Sequence, residues 1–282
     1  MIRINDDRAL LKKHAVAVLQ RVKMLNIEEE ILGQLKALGQ SSIEEFISSD
    51  IDCLRNWVEN CPEKLQFSHF KKIYSSYFSK GAETFLAGNY NAYTFLAELD
   101  ISVCPYCDDE YLDIVDVEGK RRRTCEIEHF FPKSKYPALA MSFYNLIPAG
   151  KNCNSLKLEE KLGMSPYEEK IEDMTFLFPD IPLGLSLDCI NPRDCLVKFH
   201  PKKGMRKNVV TLALEERYVR HAAEAHRLLS NLQKLSDEKI EELEKMGFGS
   251  REEIISSNFG PQQPEEKKKS LRQKMLKDLT GY

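Results

Sequence analysis

The sequence predicts a mostly helical α+β protein with a small strand–strand–helix unit at its centre. Apolar residues recur at three- and four-residue steps from Ala9 to about Leu99 and again from Thr211 to Met246, the period of one helix face. Near Cys104 that period gives way to alternation. In the same central stretch, cysteines, a histidine, carboxylates and asparagines gather within a short length of chain.

The first region, 1–100, reads as helices. In "ALLKKHAVAVLQRVKML" the apolar positions fall on one face. "SSIEEFISS" opens with serine and places Glu44 and Glu45 in the first turn, a helix-start signal. "FKKIYSSYFSKGAETFLAGNYNAYTFLAEL" reads as two amphipathic helices parted around Gly81 or Gly88. The central region, 101–175, begins with "CPYC". "YLDIVDV" alternates as a strand does, "EGKRRR" reads as a turn with a basic tip, and "TCEIEHF" returns to strand character. "SFYNLIPA" is a short strand or extended segment, and "NSLKLEEKL" reads as a helix. The last region, 176–282, starts with a loop-rich stretch able to hold a hairpin, continues as helices, and ends in a proline-marked linker and a basic helix, "KKKSLRQKMLK", solvated or partner-binding.

Composition narrows the function classes. The chain has 282 residues, 42% hydrophobic and 30% charged, with a net charge of -3. This is ordinary for a globular protein, and any nucleic-acid contact must come from a local basic patch. The charged amino terminus lacks a secretory apolar core, and no apolar run approaches the ~18 residues of a membrane span. These features predict a cytoplasmic protein without membrane contact, whose eight cysteines are thiols or metal ligands.

Cys104 and Cys107 have the spacing of a zinc knuckle, since two thiolates on a tight turn can reach one ion at about 2.3 Å. Cys153, at the start of the following helix, is the natural third ligand. The residue three positions before it is Gly150, so the fourth ligand is open among Cys125, Cys189, Cys195, a histidine and water. In "EIEHF", Glu126 and Glu128 share one strand face and His129 takes the other. At the strand's end that parity can relax, letting Glu128 and His129 converge on a metal and a substrate. A carboxylate suits Mg²⁺ or Mn²⁺, and a neutral imidazole can take a proton from water. An isolated Glu-His pair is more often a solvated carboxylate and a core histidine. This pair is followed by Asn145 and Asn154.

Taken together, CPYC, EHFFPKSKYP, FYNLIP and CNSLK resemble the HNH endonuclease family with its ββα-metal fold. More narrowly they resemble the PtuB-type nuclease subunits of Septu and retron-associated anti-phage systems. The resemblance covers roughly Val103 to Glu168, and "SPYEE" and "ERYVRH" extend it. It implies that His129 is the general base, Glu128 and Asn154 hold a catalytic Mg²⁺ or Mn²⁺, Asn145 holds the loop that orients the base, and Cys104, Cys107 and Cys153 bind a structural Zn²⁺. The implied activity is hydrolysis of DNA, alternatively of RNA such as tRNA; an inert binding or regulatory subunit is the reading of a different class. The implied partner is an ABC- or SMC-like ATPase of the PtuA kind. This chain carries no Walker A motif of its own. Lys133, Lys135 and Lys157 flank the motif as candidate phosphate contacts, with "GKRRR" a possible backbone grip. His221 and His226, five apart on a helix, read as packing or surface residues, with His221 a possible support of the active site.

Overall fold

The computed structural model describes residues 1–181, 184–263 and 269–282. Helices dominate, and the described strands form three separate two-stranded antiparallel sheets. Six helices come first: α1 (Arg8–Met24), α2 (Glu28–Lys36), α3 (Ile43–Ser48), α4 (Ile51–Asn60), α5 (His69–Ile73) and α6 (Ala92–Glu98). Their starts follow side-chain chemistry. The Asp7 carboxylate accepts from the Ala9 and Leu10 amides, Ser42 caps α3, Asp50 caps α4, and Asn91 with Thr94 forms a reciprocal capping box on α6. Each satisfies amide donors that the first helical turn leaves free. Directly after α5 the chain widens into a π-helical turn, Tyr74–Phe78, whose two terminal aromatic residues are buried.

Strands β1 (Ile114–Val117) and β2 (Lys120–Arg123) form a hairpin in which Val117 faces Lys120. Its two-residue turn is Glu118-Gly119, both at positive φ (53° and 76°). Glycine suits the second position, and the turn's twist matches that of the strands. The basic run is thus the strand β2 rather than a tip. Strand β3 (Glu126–His129) pairs with β4 (Leu146–Ala149), with Glu128 opposite Ile147 and His129 opposite Leu146. Helix α7 (Lys151–Lys157) follows after a single residue. It starts before and ends earlier than the periodicity of "NSLKLEEKL" predicts, because Leu158 turns to φ 47°. The expected hairpin of the last region is β5 (Thr175–Asp180) on β6 (Leu196–Pro201).

The remaining helices are α8 (Arg206–Thr211), α9 (Leu214–Tyr218), α10 (Ala222–Lys234), α11 (Asp237–Lys245), α12 (Arg251–Phe259) and α13 (Gln273–Thr280). Lys267 and Lys268 of the basic tail lie outside the described residues. Helix α13, expected to be solvated or partner-binding, buries Met275, Leu276 and Leu279 and contacts α10 and β5. Arg272, just before it, pairs with Asp109 and Glu224. Buried apolar residues from Met1 to Leu279 belong to one cluster, so all three regions contribute to a common core. Among the described residues, no helix is long and apolar enough to cross a membrane.

His14 of α1 lies at the centre of an aromatic shell of Phe78, Tyr90, Phe95 and Phe143. Its Nε2 donates to the Met141 carbonyl at 2.8 Å. Burial lowers its pKa to about 4, with the carbonyl opposing. The unfolded chain therefore takes up a proton near pH 6.5 that the folded chain refuses until about pH 4. Stability is full above pH 6.5 and falls as pH drops toward 4. Between pH 7.5 and pH 5 the His14 share of this loss is ~2 kcal/mol. Urea midpoints of wild type and His14→Leu at the two pH values check it: the variant loses correspondingly less on acidification, and equal losses would refute the assignment.

Candidate active site and metal centre

The end of β3, the loop after it and the middle of α7 surround one cavity of about 250 Å³, lined by Glu128, His129, Lys133, Asn154, Lys71 and Glu159, among others. Glu128 and His129 leave β3 on opposite faces, yet both reach this cavity because His129 is the last paired residue and the chain turns there. Asn154 comes from α7, one residue after Cys153. Three of the four sequence-predicted catalytic residues therefore meet around one space.

The histidine is held from several sides. Its Nε2 lies 3.1 Å from the Ala140 carbonyl. A carbonyl only accepts, so Nε2 carries the proton and Nδ1 keeps its lone pair. Nδ1 faces the Lys133 ammonium at 3.5 Å. The Tyr74 ring packs edge-on against the imidazole with centroids 4.5 Å apart, while the Tyr74 hydroxyl donates to the Ile127 carbonyl at 2.8 Å. Burial, then the nearby Lys133 charge, holds the imidazole well below the usual histidine range, which keeps it neutral at pH 7.

Asn145 lies behind the cavity and does not touch His129 through its side chain. Its Oδ1 accepts from the Phe131 amide at 2.7 Å, and its Nδ2 donates to the carbonyls of Phe131 (3.2 Å) and Leu139 (2.9 Å). It thus staples both ends of the loop between β3 and Ala140, the residue whose carbonyl accepts the hydrogen bond from His129 Nε2.

Glu128 is buried and doubly engaged. Oε1 meets the Lys157 ammonium at 2.6 Å, and Oε2 accepts from the Tyr106 hydroxyl at 2.8 Å. Burial pushes the carboxyl up, while Lys157 and Tyr106 pull it back. A carboxylate has about four lone-pair sites, so these contacts leave room for a cation. With the Asn154 amide in the same cavity, the oxygen donors fit a hard divalent ion such as Mg²⁺ or Mn²⁺.

The phosphate-contact expectations divide. Lys133 is half-buried at the cavity. Lys135 is exposed, lies outside the lining, and donates to the Glu159 carbonyl at 2.9 Å. Lys157 has no exposed surface; it pairs with Glu128 and donates to the His129 carbonyl at 2.9 Å. It is an interior counter-charge, not a surface phosphate contact. His221 does not reach the cavity either. Its Nε2 lies 2.9 Å from the Asp109 carboxylate, which also holds Arg220 and Arg272. His226 bonds the Leu187 carbonyl.

The sulfurs of Cys104, Cys107 and Cys153 lie within 4.8 Å of one another, all buried. This is the group expected from the sequence; among the described residues Cys125, Cys189 and Cys195 do not join it. Three thiol ligands suit zinc-class cations. Burial pushes the Cys104 thiol up, and the hydrogen bond with Cys104 does the same to Cys107. Tyr106 sits between the first two cysteines. Its hydroxyl ties the cysteine turn directly to Glu128, so the two centres share a wall. Tyr106, Tyr74 and Lys71 are absent from the sequence-based site; "CPYC" itself carried the only local signal, a tyrosine inside a ligand turn.

Comparison with curated proteins finds the Septu protein PtuB of Bacillus thuringiensis, 39% identical over 62 residues. The matched stretch is 22% of this chain, and the chain spans only about a fifth (21%) of the length of that relative. No family model matches the chain, and no solved structure does.

Proposed function

We propose that this chain is a metal-dependent HNH-type endonuclease that hydrolyses DNA phosphodiesters as the effector of a Septu-type anti-phage system. One observation carries the reading: Glu128, His129 and Asn154 line a single cavity in which the imidazole is neutral with Nδ1 unprotonated. The partial similarity to PtuB points in the same direction.

In this reading a water molecule in the cavity gives its proton to His129 Nδ1 and its oxygen bonds to phosphorus as the bond from phosphorus to the 3′ oxygen breaks, the released 3′ oxygen taking a proton from solvent. The Ala140 carbonyl fixes the tautomer, and Asn145 fixes the loop that presents this carbonyl. Lys133 meets a non-bridging phosphate oxygen, and Lys135 meets the neighbouring backbone at the rim. Glu128 and Asn154 hold Mg²⁺ or Mn²⁺, which when bound supplies Lewis-acid stabilisation of the phosphoryl and leaving oxygens. Cys104, Cys107 and Cys153 hold a structural Zn²⁺ that fixes the turn bearing Tyr106. An ABC- or SMC-like ATPase, PtuA-like, supplies the nucleotide-dependent trigger, and the system works in the cytoplasm.

The test is cleavage of plasmid DNA and of tRNA by the purified chain, alone and with its ATPase partner, with Mg²⁺ or Mn²⁺. Nicking of DNA that chelation abolishes is the expected result. Cleavage of tRNA alone would replace the DNA reading by the RNA one. Loss of neither substrate, with the partner present, would make the chain an inert binding subunit.

A further inference from the structure

The cysteine cluster lacks a fourth sulfur where the spacing asks for one, at Gly150. This glycine caps α7 at φ -61° and ψ 152°, a conformation open to any residue. Its backbone does not require glycine; its surroundings do. A Cβ at position 150 would lie 2.3 Å from Glu110 Oε2 and 2.5 Å from the Glu110 carboxyl carbon. The carboxylate of Glu110 fills the space that a side chain at 150 would take.

Glu110 is held there on every side. Its backbone carbonyl accepts from the Cys104 amide at 2.8 Å. Its Oε2 accepts from the Asn152 amide at 3.3 Å. Its Oε1 lies 3.8 Å from Cys107 Sγ and 2.7 Å from Arg217 Nη2. Arg217 Nη1 in turn donates to Cys153 Sγ at 3.1 Å. Both side chains are largely shielded, Glu110 at 16% and Arg217 at 14% exposure.

We infer that Glu110 is the fourth protein ligand of a zinc-class cation bound by Cys104, Cys107 and Cys153, with Gly150 making room for it and Arg217 as the counter-cation. The inference rests on the reading of the cysteine cluster as a zinc site. A carboxylate oxygen and a thiolate sulfur on one tetrahedral zinc lie roughly 3.6 Å apart, given bonds near 2.1 Å and 2.3 Å. The contact between Glu110 Oε1 and Cys107 Sγ matches this separation. The carboxylate does not lie within 4.8 Å of all three sulfurs, so ligation takes a small side-chain movement toward them. Four anionic ligands exceed the charge of a divalent cation, and a guanidinium bonded to one sulfur and to the carboxylate offsets part of that excess.

The experiment is Co²⁺ substitution in the full chain, read by the visible d–d bands, the thiolate charge-transfer intensity and a competitive affinity titration. Wild type shows a tetrahedral spectrum with three thiolates. Glu110→Ala shifts the d–d bands and weakens Co²⁺ binding by at least about tenfold, with thiolate intensity unchanged. Glu110→Ala/Gly150→Cys regains affinity and gains the intensity of a fourth thiolate, because the new side chain enters the vacated space. Should Glu110→Ala fold poorly, Glu110→Gln and Gly150→Cys alone report the same movement, since each removes or displaces the carboxylate. Unchanged bands and affinity in Glu110→Ala would overturn the ligand assignment while leaving the zinc site. Absence of any bound metal in wild type would overturn the zinc reading and the assignment with it.

Discussion

Replacing His129 by alanine lowers the rate of DNA cleavage by about 10²- to 10⁴-fold, the usual contribution of a positioned general base. The expectation follows from how little else the imidazole can be doing. Its Nε2 is spent on the Ala140 carbonyl and its face on Tyr74, so Nδ1, unprotonated and met only by the Lys133 ammonium at 3.5 Å, is its one reactive atom. The substitution also opens a void in a buried site, so two controls separate chemistry from folding. The far-ultraviolet circular dichroism spectrum must stay that of the wild type, and DNA affinity must stay within a few-fold, because Lys133 and Lys135 remain. Added imidazole should restore part of the cleavage, since a small base can enter the space the side chain left. A purely structural histidine would not be rescued in this way. Full activity of His129→Ala would remove the base from the mechanism.

The parts of this site that were legible in the sequence are those set by local spacing. A carboxylate and histidine at the end of a strand, and a cysteine and asparagine at the start of a helix, end up around one cavity because each element is only a few residues long. The cysteine pair in "CPYC" meets Cys153 across 46 residues, a pairing legible from residue chemistry and the motif "CNSLK" rather than from local spacing. Other contacts between residues far apart in sequence were not legible. Tyr74 reaches His129 from a π-turn 55 residues earlier in the numbering, and Arg217 reaches Cys153 from beyond the β5–β6 hairpin. No periodicity encodes such pairings. The tail helix differs from its expectation for a related reason: Arg272 at its start is offset by Asp109 and Glu224 far away in sequence, and Lys274 by Asp278 one turn on, so a basic segment docks on the core. Lys157 is different, because its burial was readable. It stands four residues after Cys153 on one helix, and the 3.6-residue period that turns Cys153 inward turns Lys157 inward too. Its charge suggested a surface role; its position determined an interior one.

Lys157→Met is the substitution with the largest expected effect on stability, a loss of about 3–5 kcal/mol. Lys157 and Glu128 have side-chain exposures of 0% and 5% and lie 2.6 Å apart. Removing the ammonium leaves a buried carboxylate whose remaining partner is the Tyr106 hydroxyl, and leaves the His129 carbonyl without its donor. Exposed ion pairs contribute only about 0–1 kcal/mol, so the size of the loss reports burial directly. A second substitution identifies the cause. Glu128→Gln keeps an oxygen to accept from Tyr106 but carries no charge, so Lys157→Met/Glu128→Gln should recover about 1–3 kcal/mol of the single variant's loss. Urea unfolding of the wild type, both single variants and the double variant, all without added metal, measures this coupling free of any catalytic effect. A cost below about 1 kcal/mol for Lys157→Met would place the lysine at the surface and return it to the set of phosphate contacts. A large cost that Glu128→Gln does not relieve would point to the lost methylene packing and the His129 carbonyl rather than to the carboxylate.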